Sequence, residues 1–339
     1  MKPLWIVLLV LMLGIGLGCN SPGSSDEPDE AILQVPPYAA WTDSIGRFPS
    51  RGYYYYERGL LLETNHDSLL ALRDFRKAVA LVGQPDFVVG LADFWLNHGQ
   101  VDSARLLLLP AVRRYPYNQL LERDLLMAYY DNEQYQEALT VNDSALSYDS
   151  ASSGNWYNRG MILDALHDSA QSLSCFEKAY GLDPDRATIA YELAVHYAGA
   201  RDPKTIALCD EIIREDGQLQ KPDPYVIKGI YYENVGNVPQ ALKSFDQAIQ
   251  IDYTFLEAYL EKGILLFKQK RYADALQVFD LSIRINDTFA DGYYWKGRCQ
   301  KEMNKPGDAR LNFERAIAFD KHFTEAREAL HQLDSATSK

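Results

Sequence analysis

The chain has 339 residues, of which 47% are apolar, an ordinary share for a folded protein that excludes bulk disorder. Its formal net charge of −13 would repel phosphate backbones, so nucleic-acid binding is excluded as a first reading. Four cysteines are too few for a disulfide scaffold, and 23 Tyr against 13 Phe favours half-buried surfaces, where a ring needs a polar tip.

In chain order, Lys2 precedes an unbroken apolar run from Leu4 to Leu13, then Gly14, Gly16, Gly18 and Cys19. A basic start, a short apolar stretch and small residues predict a secretory signal peptide over 1–18. The segment is too short and too Gly-rich at its end for a comfortable membrane span. Small residues directly before Cys19 resemble the lipobox of bacterial lipoproteins, although Gly16 stands where that family usually has Leu. The resemblance implies cleavage before Cys19, lipidation of Cys19, and a membrane attachment through that lipid. Asn20 rather than Asp after the Cys then implies outer-membrane localisation, on the periplasmic or cell-surface side. Residues 21–30 are acidic and carry Pro and Gly, the composition of a tether. Residues 19–51 thus read as lipidated Cys, acidic tether and N-terminal linker.

From residue 52 one pattern recurs every 34 residues. Tyr225, Gly229, Tyr232, Ala241, Phe245 and Ala248 are followed by Tyr259, Gly263, Leu266, Ala275, Phe279 and Ser282, then by Tyr293, Gly297, Gln300, Ala309, Phe313 and Ala316. The spacing resembles the tetratricopeptide repeat (TPR), two antiparallel helices per unit. That resemblance implies an all-α fold, a right-handed TPR superhelix of about eight helix-turn-helix repeats. The predicted repeats are 52–84, 85–118, 119–152, 153–186, 187–221, 222–255, 256–289 and 290–323, with a capping helix and tail over 324–339. Position 8 is small in seven repeats, which predicts a close approach of the two helices; the ring at position 24 is predicted to fill the space between units. Repeat five runs 35 residues, has no ring at position 24, and has Pro203 where its second helix should begin.

The six His form no H-E-x-x-H pair and no C-x-x-C exists, so no metal site, cofactor or catalytic residue is predicted. Seven Asp-Ser pairs resemble O-glycosylation acceptors of some envelope-exported bacterial proteins; helix capping is the other reading. In TPR arrays the first helix of each repeat lines the concave groove, and the resemblance points positions 2, 5, 9 and 12 into it. The resemblance places Tyr56, Asp93, Arg123, Met127, Tyr157, Met161, Tyr191, Ile230, Tyr294 and Arg298 there. No repeat combines Lys at 5 with Asn at 9, the pair of carboxylate-clamp TPRs. The expected partner is a protein or peptide with apolar anchors and basic charge. The expected function is a non-catalytic TPR scaffold anchored to the bacterial envelope, within an outer-membrane assembly, secretion or transport complex. The alternative is a glycan-capturing surface lipoprotein of a nutrient-uptake system, in which the aromatic row stacks on sugar rings.

Overall fold

The computed structural model describes residues 30–215, 217 and 221–337. The expected signal peptide, Cys19 and most of the acidic tether lie outside the described residues. No described helix is long and apolar enough to cross a membrane. The described chain is all helical, and it divides after Ala111 into two compact units.

The first unit opens with a 3-10 turn, Glu30–Gln34, and α1 (Ala39–Arg47). Helix pairs follow: α2 (Gly52–Thr64) with α3 (Ser68–Val82), and α4 (Pro85–Asn97) with α5 (Val101–Arg114), whose last turn passes the division. Arg58 on α2 is sunk beside Asp74 on α3 and donates to both carboxylate oxygens at 2.6 and 2.9 Å. Its third bond goes to Thr42 on α1 at 2.9 Å, so one guanidinium ties three helices.

The second unit stacks six further pairs: α6 (Gln119–Asp131) with α7 (Tyr135–Tyr148), α8 (Ser153–Ala165) with α9 (Ser169–Leu182), and α10 (Ala187–Gly199) with α11 (Lys204–Glu215). Then come α12 (Asp223–Asn234) with α13 (Val238–Ile251), α14 (Leu256–Lys268) with α15 (Tyr272–Ile285), and α16 (Ala290–Glu302) with α17 (Pro306–Phe319). The last helix is α18 (Thr324–Thr337).

Each turn inside a pair is built the same way. The fifteenth residue of every repeat is left-handed, with φ between +57° and +81°: His66, Gly99, Glu133, His167, Arg201, Gly236, Lys270 and Asn304. The next residue's N–H donates to the carbonyl five residues back, as in Asp168 to Leu163 at 2.9 Å and Lys305 to Gln300 at 2.9 Å. This bond satisfies a carbonyl that the helix end would otherwise leave open. His66 and His167 are thus exposed turn residues. Among the Asp-Ser pairs, Asp168 caps α9 by accepting from Gln171 N–H at 3.1 Å, whereas Asp143 lies inside α7 and pairs with Arg159.

The small residue at position 8 has a more specific cause than helix approach. A Cβ on Gly59, Gly160, Gly229, Gly263 or Gly297 would fall within 3.0 Å of the ring of Phe75, Phe176, Phe245, Phe279 or Phe313. Each ring is the position-24 residue of the same repeat and is at most 1% exposed. The rings also reach the next repeat: Phe176 lies 4.8 Å from His196 and Phe279 6.2 Å from Trp295. Repeats without that ring have a larger position 8, namely Ala92 with Leu108, Leu126 with Asn142, and Ala194 with Cys209.

Repeat five is out of register in its second helix. Elsewhere position 20 donates its N–H to position 16, four residues back, as Ser172 does to Asp168. Here Thr205 bonds the Asp202 carbonyl, three residues back, through its N–H at 3.1 Å and its hydroxyl at 2.7 Å. The turn has lost one residue at Pro203, and α11 begins directly after it. Thr205, Leu208, Cys209 and Ile212 therefore take the buried places that residues one position later would fill in a regular repeat.

Candidate functional site

The face to which the resemblance assigns function is formed by the first helix of each pair. In the second unit consecutive first helices touch, α10 with α12, α12 with α14, and α14 with α16. Tyr157 and Met161 on α8, Tyr191 on α10 and Ile230 on α12 all pack half-buried against one core of Phe176, Leu193, Ala194, Leu208, Cys209 and Ile227. These four predicted groove residues are brought together.

The end of the connection into the next first helix decides how far each of these position-5 rings is covered. Arg186 places its guanidinium 5.6 Å from the Tyr157 ring centre, and Lys221 its ammonium 5.7 Å from that of Tyr191. A cation above a ring leaves its edge accessible. Phe323 occupies the same place beside Tyr294, at 5.1 Å, with Phe313 at 6.0 Å on another side. Tyr294 is consequently only 8% exposed, and its hydroxyl accepts from Arg298 at 2.8 Å. Arg298 sits among Phe267, Tyr294 and Trp295, 5.2–5.7 Å from their ring centres.

Met127 packs half-buried with Leu126, Ala138 and Ile162 in a neighbouring cluster. Arg123 is exposed but turned sideways onto the buried Asp124, at 2.6 and 2.9 Å. Tyr56 and Asp93 belong to the first unit. Tyr56 rests on Phe87 at 5.1 Å and on Phe75 at 5.9 Å, over Gly90, where any Cβ would meet its ring. Burial first, then Asp86, Glu57 and Asp93, raise the Tyr56 hydroxyl.

The electrostatics of this face are acidic. Burial, with Glu192 beside it, pushes the Tyr157 hydroxyl up to about 12. Glu192 on α10 is raised by burial and then by Asp164 on α8. His196, one turn on, is lowered by burial against the pull of Asp164, whose Oδ1 lies 3.9 Å from its Nε2. On α14, Glu261 is 6% exposed, and burial followed by Glu233 and Glu257 raises it to about 7. Glu192 and Glu261 are absent from the predicted site, although both stand at position 6 of their repeats. The sequence shows the charges but not that Glu261 is sunk.

Family models described as tetratricopeptide repeat match residues 56–119, 153–186 and 228–288. The chain carries tetratricopeptide repeats. Subunit 3 of the anaphase-promoting complex of Schizosaccharomyces pombe is 27% identical over 161 residues, 47% of this chain and 24% of that protein. The chain thus spans about a quarter of that curated relative's length. A tetratricopeptide repeat protein from Parabacteroides merdae superposes with a TM-score of 0.61 at 19% identity, over 73% of this chain and 98% of that one. The type IV pilus biogenesis factor PilW gives 0.52 at 19%, over 63% and 99%. Yeast Tom70 gives 0.52 at 16%, over 88% and 57%. At these identities the likeness is one of fold.

Proposed function

We propose that the chain is a non-catalytic TPR scaffold that captures a protein or peptide segment on the first-helix face of its second unit. The observation that carries the reading is the half-buried row Tyr157, Met161, Tyr191 and Ile230 on three successive first helices. Stiff rings held on a rigid scaffold make good anchors, because little side-chain freedom is lost on binding. Cys19, read as lipidated, would tether the scaffold to the outer membrane of a bacterial envelope, where it would serve an assembly, secretion or transport complex.

The test is a photo-crosslinking residue at Tyr157 in full-length protein in its native envelope, with the same residue at the exposed Glu137 on α7 as control. One protein adduct at Tyr157 and none at Glu137 is expected. The adducted partner, once purified, should lose more than about 1 kcal/mol of affinity on Tyr191→Ala with the melting temperature little changed. Adducts at Glu137 alone would move binding to the second helices; retention on glycan without a protein adduct would favour sugar capture. Cys19→Ser should move the protein out of the membrane fraction, and unchanged fractionation with unchanged mass would refute the lipid anchor.

A further inference from the structure

Four first-type helices in succession have an acid in their first turn, at the second position of the 34-residue unit. Asp223 on α12, Glu257 on α14, Asp291 on α16 and Glu325 on α18 stand 34 residues apart. Neighbouring members of the row act on one another at two of its steps, Asp223 on Glu257 and Glu325 on Asp291. Glu257 is raised by burial and by Asp223, and Asp291 by burial, Asp320 and Glu325. One turn after Glu257 a further carboxyl, Glu261, is sunk into the same face. Its Oε1 is enclosed and has no hydrogen-bond partner. Lys268, whose charge acts on Glu261, already donates to Glu233 at 2.5 Å. An enclosed carboxylate oxygen without a donor costs more than almost any neutral defect, because the group has lost water and gained nothing.

Resting on the peptide-capture reading above, we propose that Glu261 and the acidic row from Asp223 to Asp291 bind the basic side chains of the captured segment, with one Lys or Arg seated at Glu261. An ammonium or guanidinium offers only donors, and Glu261 lacks one. Among the described residues no group of three or more His, Cys, Asp or Glu is placed to hold a metal ion, so the fitting cation is a side chain. The spacing also selects a segment. Packed helices lie about 8–10 Å apart, and a polyproline-II strand rises about 3.1 Å per residue and repeats its direction every third. A basic residue at every third position therefore meets each successive helix. Ile230 and Ile264, half-buried on the same helices, receive apolar residues between them.

The test uses the full chain and two fluorescent synthetic peptides, one with arginine at every third position and leucine between, the other with citrulline replacing arginine. Anisotropy titrations at low salt should favour the arginine peptide by at least about tenfold, as a desolvated charge pair does. Glu261→Gln, which keeps shape and loses charge, should lower that ratio at least about threefold with circular dichroism unchanged, the rest of the preference belonging to Asp223, Glu257 and Asp291. Glu137→Gln, the same charge change on an exposed second helix, should leave it intact. Wild-type preference should rise between about pH 6 and about pH 8 as Glu261 ionises beside Glu233, Glu257 and Lys268, and the Gln variant should be flat. Equal binding of the two peptides overturns the basic-anchor site and leaves protein capture standing. A ratio unmoved by Glu261→Gln, a ratio lowered equally by Glu137→Gln, or no binding of either peptide overturns the site as well.

Discussion

Repeats five and six are neighbours built on the same plan, yet they fill their centres differently. Repeat six seats Phe245 against Gly229, with no room for a methyl group between them. Repeat five seats Cys209 against Ala194, and both are wholly buried. One residue is missing from its inner turn, and the connection from Cys209 to Gly229 is two residues longer than the one from Phe245 to Gly263. The difference teaches that position 8 and position 24 behave as one unit of volume. A core packed to crystal density accepts a large ring only where the facing residue gives up its Cβ, and a thiol only where the facing residue keeps it.

The largest effect comes from emptying the two centres. Phe279→Ala, in the regular repeat seven, removes a ring that is 0% exposed and should cost about 3–5 kcal/mol by urea titration. Cys209→Ala, at the equivalent place in repeat five, removes one sulfur and should cost about 1 kcal/mol. Gly263→Ala should cost about 1–3 kcal/mol through collision with Phe279. The pairing predicts that Phe279→Leu offsets part of this loss in the double variant. Equal costs for Phe279→Ala and Cys209→Ala would break the comparison. Native-state hydrogen exchange would sharpen it, with α11 opening at lower free energy than α13 or α15.

Much of this was legible in the sequence. The period, the helix pairs, the Gly–Phe positions and the irregularity of repeat five all follow from residue types at fixed spacing. What was hidden depends on neighbours that the spacing does not rank. Tyr294 shares its position with Tyr157 and Tyr191, and only the residue closing over it, Phe323 rather than Arg186 or Lys221, buries it. The burial of Glu261 is likewise a property of how α12 and α14 meet. The count of repeat five gave its length but not where the residues were lost and gained, because a deletion at Pro203 is masked by the longer connection after α11.

A second, smaller effect compares the position-6 glutamates of repeats five and seven. The raised Glu261 keeps its proton in the folded state after the unfolded chain has released it. The folded state then binds more protons, so this group's contribution to stability falls as pH rises from its ordinary 4.5 through about 7. Glu261→Gln should therefore gain on the wild type by about 1–3 kcal/mol between about pH 5 and about pH 8. Glu192→Gln should shift stability with the same sign, since burial and Asp164 raise that carboxyl too. A Glu261→Gln advantage that shrinks with rising pH would contradict the sunk, unpartnered carboxyl.

The smallest effect tests the register itself. An acid on the second helix of one repeat pairs with a cation on the first helix of the next: Asp143 with Arg159, Asp246 with Lys262 at 2.5 Å, and Asp280 with Lys296 at 2.6 Å. These partners are 16 residues apart. Asp210 and Lys228 make the same bridge at 2.7 Å across 18 residues, from repeat five to six. A plain 34-residue count would place Asp210 at the inward position 24; the missing turn residue rotates it to position 25, at the surface, and turns Cys209 inward. The bridges are partly exposed, so double-mutant cycles should give about 0.2–1 kcal/mol for Asp210–Lys228 and for Asp246–Lys262 alike. Asp210→Asn alone should be nearly silent, while Cys209→Asn should unfold the junction by leaving a buried amide unpaired. The opposite pattern, a tolerant Cys209 and a costly Asp210, would place the second helix of repeat five back in the regular register and remove the reason for its Ala–Cys centre.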